Sequence, residues 1–287
     1  MMKYSILLLF IVLLGFSGCK DNTSSKSASA GDAIELKLNL KSGDQFTYEM
    51  TTTQKMTQSL MGKKIDLNQE MIFTFDYAVK SQSANETNLE ATYQRIRMKQ
   101  HSDMGDMEVD SDQPDKASPM YKELLNLKGK TFGITLNDKG EVTKVSGMDQ
   151  LGGNSMSDSS LRSMLEMSFK LYPDHPVKPG DTWKNEFQSD LGGIMKMKLS
   201  NTYELIQVKE GIAEIKTESV ISSEKGNNDK VEMNLSGTQS GIMRLDVKSG
   251  MLKDSKLKQR LSGKMKASGM EIPMDMESDV MMTGSSK

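Results

Sequence analysis

Cysteine is almost absent: the chain of 287 residues holds one, Cys19. No disulfide can form within it. With Cys19 committed to the role argued below, zinc–thiolate sites, iron–sulfur clusters and a cysteine nucleophile are excluded too. Histidine is nearly as scarce, with only His101 and His175. Proline occurs six times and tryptophan once. No basic excess exists: 37 Lys and Arg stand against 39 Asp and Glu, a net charge of −2. That balance is no nucleic-acid footprint, and no long basic block marks a lipid-surface patch.

The first nineteen residues carry the clearest signal. Lys3 supplies a positive start, Ile6 to Leu14 is unbroken apolar sequence, and Phe16-Ser17-Gly18 leads into Cys19. Charged start, apolar core, small residues and cysteine form the order of a bacterial lipoprotein signal peptide. The apolar run is far shorter than the about 20 residues of a membrane span. Cleavage before Cys19 and acylation of that residue are therefore expected, with Phe16 making the lipobox a relaxed one. Two or more acyl chains hold a protein stably on a bilayer. Lys20, rather than Asp, follows the cysteine and argues against retention in the inner membrane. The address read here is the cell envelope, lipid-anchored at the outer membrane, on its periplasmic or surface side. Residues 19–32 are polar, small and Lys-containing, a flexible tether.

Residues 33–287 are expected to form one β-rich domain. Period-two alternation dominates, as in Ile34 to Leu40, Phe73 to Val79, Ile194 to Leu199, Tyr203 to Val208, Ile212 to Ile215 and Met270 to Met276. Strands with one apolar and one polar face belong to antiparallel sheets. Ser118-Pro119 reads as an N-cap and first-turn proline opening a short helix through Leu125. A second helix is expected at about 157–172, with Leu161, Met164, Leu165, Phe169 and Tyr172 on one face and Pro173 as its stop.

An internal repeat divides the domain. Leu40-Lys41-Ser42-Gly43-Asp44-Gln45-Phe46 matches Val177-Lys178-Pro179-Gly180-Asp181-Thr182-Trp183, both apolar-Lys-x-Gly-Asp-x-aromatic. A Tyr-bearing strand, a further strand and a hairpin-like segment follow each copy. The halves are about 33–150 and 174–283. The fold class expected is mainly β: one large curved antiparallel sheet from two pseudo-repeated halves, with short helices between them. Two separate β domains are the alternative.

The Cys19 lipobox, the early L-K-S-G-D-Q-F, the central G-K-T-F-G-I-T-L-N-D-K-G-E-V, the later P-D-H-P-V-K-P-G-D-T-W and the Met-rich C-terminal strands occur in that order. Together they resemble an uncharacterised family of exported bacterial lipoproteins, domain of unknown function number 6263. The resemblance covers nearly all of the chain beyond the leader. It brings no activity with it.

Candidate chemistry is thin. Ser168, His175 and Asp181 can be drawn as a hydrolase set, but no G-x-S-x-G elbow surrounds any serine. His175 reads more simply as a turn residue. Asp44 and Asp181 occupy one place in two repeats, so they read as turn-forming side chains after Gly43 and Gly180, with Phe46 and Trp183 as the first core anchors. The acidic stretch Asp103 to Asp112 fits no calcium-loop frame.

Methionine is the anomaly, at 25 residues. Thioethers select soft Cu(I), and Met195-x-Met197 and Met274-x-Met276 are M-x-M pairs. An M-x-M pair on a strand also puts both side chains on one face, as a core does. Methionine further suits adaptable binding surfaces. The expectation is a non-enzymatic, cofactor-free module that binds an apolar molecule or another envelope protein. An envelope hydrolase using His175, and copper or silver handling, are the alternatives.

Overall fold

Two Gly-Asp turns begin the two halves in the same way. In the computed structural model, Gly43 and Gly180 have φ of +94° and +93°, a left-handed conformation that glycine takes without steric cost. The residues described are 33–287 apart from 61, 104, 118–120, 138–139, 148–161, 163–164, 166–168, 170, 192–194, 226–230 and 268. The Asp44 carboxylate accepts from the Lys41 N–H at 2.8 Å, and that of Asp181 from the Lys178 N–H at 2.9 Å. Each turn hooks onto its neighbour strand, Gly43 N–H donating to Val79 O and Gly180 N–H to Leu205 O. The aromatic residue two beyond each Asp then enters the core, with Phe46 opposite Tyr77 and Trp183 opposite Tyr203.

The first half supplies β1 (Gln45–Leu60), β2 (Lys63–Gln82), β3 (Glu86–Ser102), β4 (Gly105–Asp110), β5 (Thr131–Asn137) and β6 (Val142–Ser146). The second supplies β7 (Thr182–Leu191), β8 (Met195–Lys209), β9 (Ile212–Lys225), β10 (Val231–Asp246), β11 (Leu252–Ala267) and β12 (Met270–Ser286). All twelve form one open antiparallel sheet in the order β6-β5-β3-β2-β1-β12-β11-β10-β9-β8-β7, with β4 also on β3. The first half steps outward from β1, and the second steps inward from the far edge to β12. Their seam is the β1–β12 pair, from Phe46 opposite Ser286 to Gln58 opposite Met274. One curved sheet therefore replaces the alternative of two β domains.

Two local readings change. Ile34–Leu40 alternates in burial, with Leu36 and Leu40 enclosed, yet it is no strand of the sheet. It touches Val177 through one isolated bridge and crosses the β10–β11 turn, where Asn39 N–H donates to Ser249 O. Its alternation packs one side against the core, with Glu35, Lys37 and Asn39 exposed on the other, and forms no ladder. The first helix is only α1 (Lys122–Leu125), placed between β4 and β5 and not between the halves. Ser118 and Pro119 lie outside the described residues. Of the second helix, Arg162, Leu165 and Phe169 are helical, and Leu165 and Phe169 are buried.

Curvature has a visible cause in β10 and β11. A Cβ on Gly237, Gly241 or Gly263 would lie 1.9–2.0 Å from a carbonyl oxygen of the adjoining strand. Only glycine lets these strands approach so closely, the device by which sheets bend.

Candidate functional site

Alternation puts one face of the sheet in the interior, and that face has two unlike ends. Toward the Gly-Asp turns lies the aromatic end. Phe75 and Tyr93 ring centres are 4.7 Å apart, Tyr93 and Phe132 5.9 Å, Tyr48 and Tyr77 5.7 Å, and Trp183 stacks on Tyr203 at 5.4 Å. Leu36, Leu40, Leu165, Phe169 and Leu171 belong to the same cluster. Trp183 Nε1–H donates to Leu171 O at 2.9 Å, and the Tyr172 hydroxyl to Gly250 O at 2.9 Å. Burial raises the Tyr93 phenol to about 12 and pushes those of Tyr172 and Tyr203 higher still, so this end stays neutral.

The aromatic cluster also buries Met50, Met243, Met251 and Met282; the opposite end has one aromatic residue and six methionines. Met197, Met233, Met274 and Met276 are buried with Phe187, Leu199, Ile221, Leu235 and Leu261, and Met56 and Met265 pack on them half-buried. Met56 lies opposite Met276, and Met265 opposite Met233. Gly263 sits between Met274 and Leu235 in the row that separates these two pairs, so β11 adds no side chain there. Met195 opens β8 opposite Leu191 and Lys225.

Between the two ends runs a row of neutral polar side chains. Registers place Asn185 opposite Asn201, Asn201 opposite Ser219, Ser219 opposite Gln239 and Gln239 opposite Gln259. The row goes on from Gln259 to Ser278, Gln54, Gln69 and Gln100. Directly opposed residues share a face, so nine strands contribute to one transverse ladder. At about 4.8 Å per strand it extends roughly 38 Å. The seven central members, Asn201 to Gln69, are no more than 7% exposed. None is charged. Gln259 donates to Gln239 at 3.4 Å, and Gln69 reaches the Met98 sulfur at 3.1 Å. The hydroxyls of Ser219, Ser278 and nearby Thr52 are buried with no hydrogen-bond partner among the described residues. A buried polar group left unpaired costs about 1–3 kcal/mol.

Sequence reading passed over this ladder. Its signal is a polar residue in the apolar phase of a strand: Met50-x-Thr52-x-Gln54-x-Met56, Leu257-x-Gln259-x-Leu261 and Met276-x-Ser278-x-Val280. Each looks like a local lapse in alternation, and only the register aligns them.

Among the described residues, the catalytic candidates His175 and Asp181 have separate partners. Asp181 is engaged by Lys178 and Asp44 by Lys41, as described. His175 is exposed and contacts Asp174 at 2.6 Å, which holds that carboxyl below its usual range; Ser168 lies outside the described residues. His101 pairs with Asp106 on the β3–β4 hairpin. In the acidic stretch, Glu108 meets Arg97 and Lys99, Asp110 meets Arg95 at 2.7 Å, and Asp112 meets Lys128 at 2.6 Å. No cluster of three His, Cys, Asp or Glu suited to a metal exists among the described residues.

The other face of the sheet carries a cleft of about 540 Å³ behind the ladder. Eight of its twelve lining residues, among them Lys55, Glu70, Lys99 and Glu108, belong to the exposed phase of the strands, so it opens to solvent. Six of its lining residues are ionisable, and Gln54, Gln69 and Gln100 of the ladder also border it.

A family model described as a family of unknown function (DUF6263) matches residues 84–156 and 153–252. No curated protein matches the chain. Among solved structures, one titled for lipid–protein interactions in lipovitellin is 13% identical, with a TM-score of 0.48. The match covers 85% of this chain, but the chain spans only 25% of that one. The translocator domain of autotransporter NalP from Neisseria meningitidis is 9% identical, with a TM-score of 0.23 over 86% of this chain and 90% of that chain. OccK11 (OpdR) from Pseudomonas aeruginosa is 5% identical, with a TM-score of 0.24 over 86% and 98%. Likenesses this loose carry no fold or function across.

Proposed function

Because the chain belongs to the DUF6263 family, which supplies no activity, we propose a function from its own residues. It is a non-enzymatic, lipid-anchored module of the bacterial cell envelope that binds an apolar molecule on the interior face of its curved sheet. The observation that carries this reading is the gathering of six methionines, Met56, Met197, Met233, Met265, Met274 and Met276, into one cluster. Unbranched thioether side chains refill the space around guests of differing shape, which rigid aromatics cannot do. The placement at the membrane rests on the Lys3–Cys19 leader, whose residues lie outside those described. Acyl chains on Cys19 would keep the module within reach of a bilayer, the natural source of apolar molecules.

A photoactivatable sixteen-carbon hydrocarbon bearing a diazirine tests this in membranes that hold the full chain. Labelled peptides are identified by mass spectrometry. Labelling within 261–276 supports binding on the interior face. Labelling confined to the tether at 19–32 would overturn it.

A further inference from the structure

We infer that the ligand is an amphiphile whose polar group is uncharged, and that this group docks on the Asn/Gln/Ser ladder with its chain directed into the methionine cluster. The inference rests on the proposed function and adds the chemistry of the guest.

Three observations carry it. First, the ladder crosses a face that is mainly apolar on both sides, with buried Thr52 and Thr217 beside it, and its central residues are almost fully enclosed. A row of buried amides and hydroxyls is costly unless its hydrogen bonds are made. Second, Ser219, Ser278 and Thr52 keep buried hydroxyls with no partner among the described residues. Serine and threonine hydroxyls each offer one donor and two acceptor positions, so together they suit a group that both gives and takes hydrogen bonds. Third, none of the nine ladder residues is charged. A phosphate, sulfate or carboxylate placed there would lose its hydration with no counter-charge in the row. An alcohol, ester or amide would not.

Direction follows from the two ends. The aromatic end is closed by interlocked rings and by Leu36, Leu40, Leu165 and Phe169. Beyond the ladder, β12 runs from Ser278 to Met270, about 26 Å at 3.3 Å per residue, long enough for an extended acyl chain. Met56 and Met265 are only half-buried there, which gives the chain a way in.

The test uses two probes with the same diazirine at the far tip of a sixteen-carbon chain, one ending in a hydroxyl and one in a sulfate. Membranes holding the full chain are photolysed with each, and cross-links are mapped. The expected result is at least tenfold more labelling by the alcohol, concentrated in 261–276. Gln259→Leu and Ser278→Ala should bring the two probes within about twofold of each other, while labelling by the headless hydrocarbon persists. Equal labelling by both probes, preference for the sulfate, or cross-links at Phe75 and Tyr93 would overturn the inference and leave the proposed function standing. Absence of labelling by the hydrocarbon as well would overturn both. Urea unfolding of each variant confirms that it is folded before its labelling is read.

Discussion

The aromatic end and the methionine end share one face and one hydrogen-bonded sheet, yet their side chains behave in opposite ways. At the aromatic end the contacts are directional: rings meet at set angles, Trp183 donates to Leu171 O, and Tyr172 donates to Gly250 O. Such contacts fix a single arrangement. At the other end Met56, Met233, Met265, Met274 and Met276 offer polarisable sulfur on three rotatable bonds, with Gln58 donating to the Met56 sulfur at 3.0 Å. The lesson is a division of labour along the strands. Directional contacts are concentrated near the Gly-Asp turns, and the polar ladder marks the border.

That contrast can be broken at defined places. Trp183→Ala strikes the aromatic end and should cost about 3–5 kcal/mol in urea unfolding, the largest effect expected. Gly237→Ala and Gly263→Ala would drive a Cβ into the adjoining strand, and each should lower stability by about 1–3 kcal/mol. Their unfolding midpoints should fall without a change in slope. Met274→Leu with Met276→Leu should cost less than about 1.5 kcal/mol per site, while changing the labelling pattern of the hydrocarbon probe. If this pair proves as damaging as Trp183→Ala, the two ends do not differ as described.

The smallest effect concerns acid. A hydrogen bond from Arg95 is the main reason the Asp110 carboxyl sits below its ordinary range. A group lowered in the folded state contributes fully above its unfolded value, near 3.9. The contribution disappears as pH falls through the lower folded value. The stability gap between the native chain and Asp110→Asn should therefore be constant from pH 7 to about 5, and should close below about pH 4. A gap that does not narrow at all as pH falls below about 4 would mean the Arg95–Asp110 pair matters for shape and not for charge.

Much of the architecture was readable from period and punctuation. The Gly-Asp repeat announced two equivalent halves because Gly43 and Gly180 need the same φ and their Asp side chains close the same turn. The alternating strands gave an antiparallel sheet for the same local reason. Ile34–Leu40 misled because alternation reports which side is buried, not whether a neighbour strand is present. The ladder was illegible for a deeper reason. Gln54, Ser278 and Gln259 are brought into line by pairings between distant strands, and a single strand holds no record of its register with the next. The methionines were visible as a count, but which six of them meet in one cluster, and which four join the aromatic one, depended on that same register.

The β1–β12 seam has a consequence in time. Residues that stand side by side there, such as Phe46 and Ser286, are brought together from nearly opposite regions of the sequence. Closing so long a loop is entropically costly, and contacts of this span form slowly. Each half can zip its own hairpins early, whereas the union of the two must wait for both. A polypeptide that delays its last pairing stays loose for longer, a useful property if, as proposed, it is threaded through a membrane before it folds.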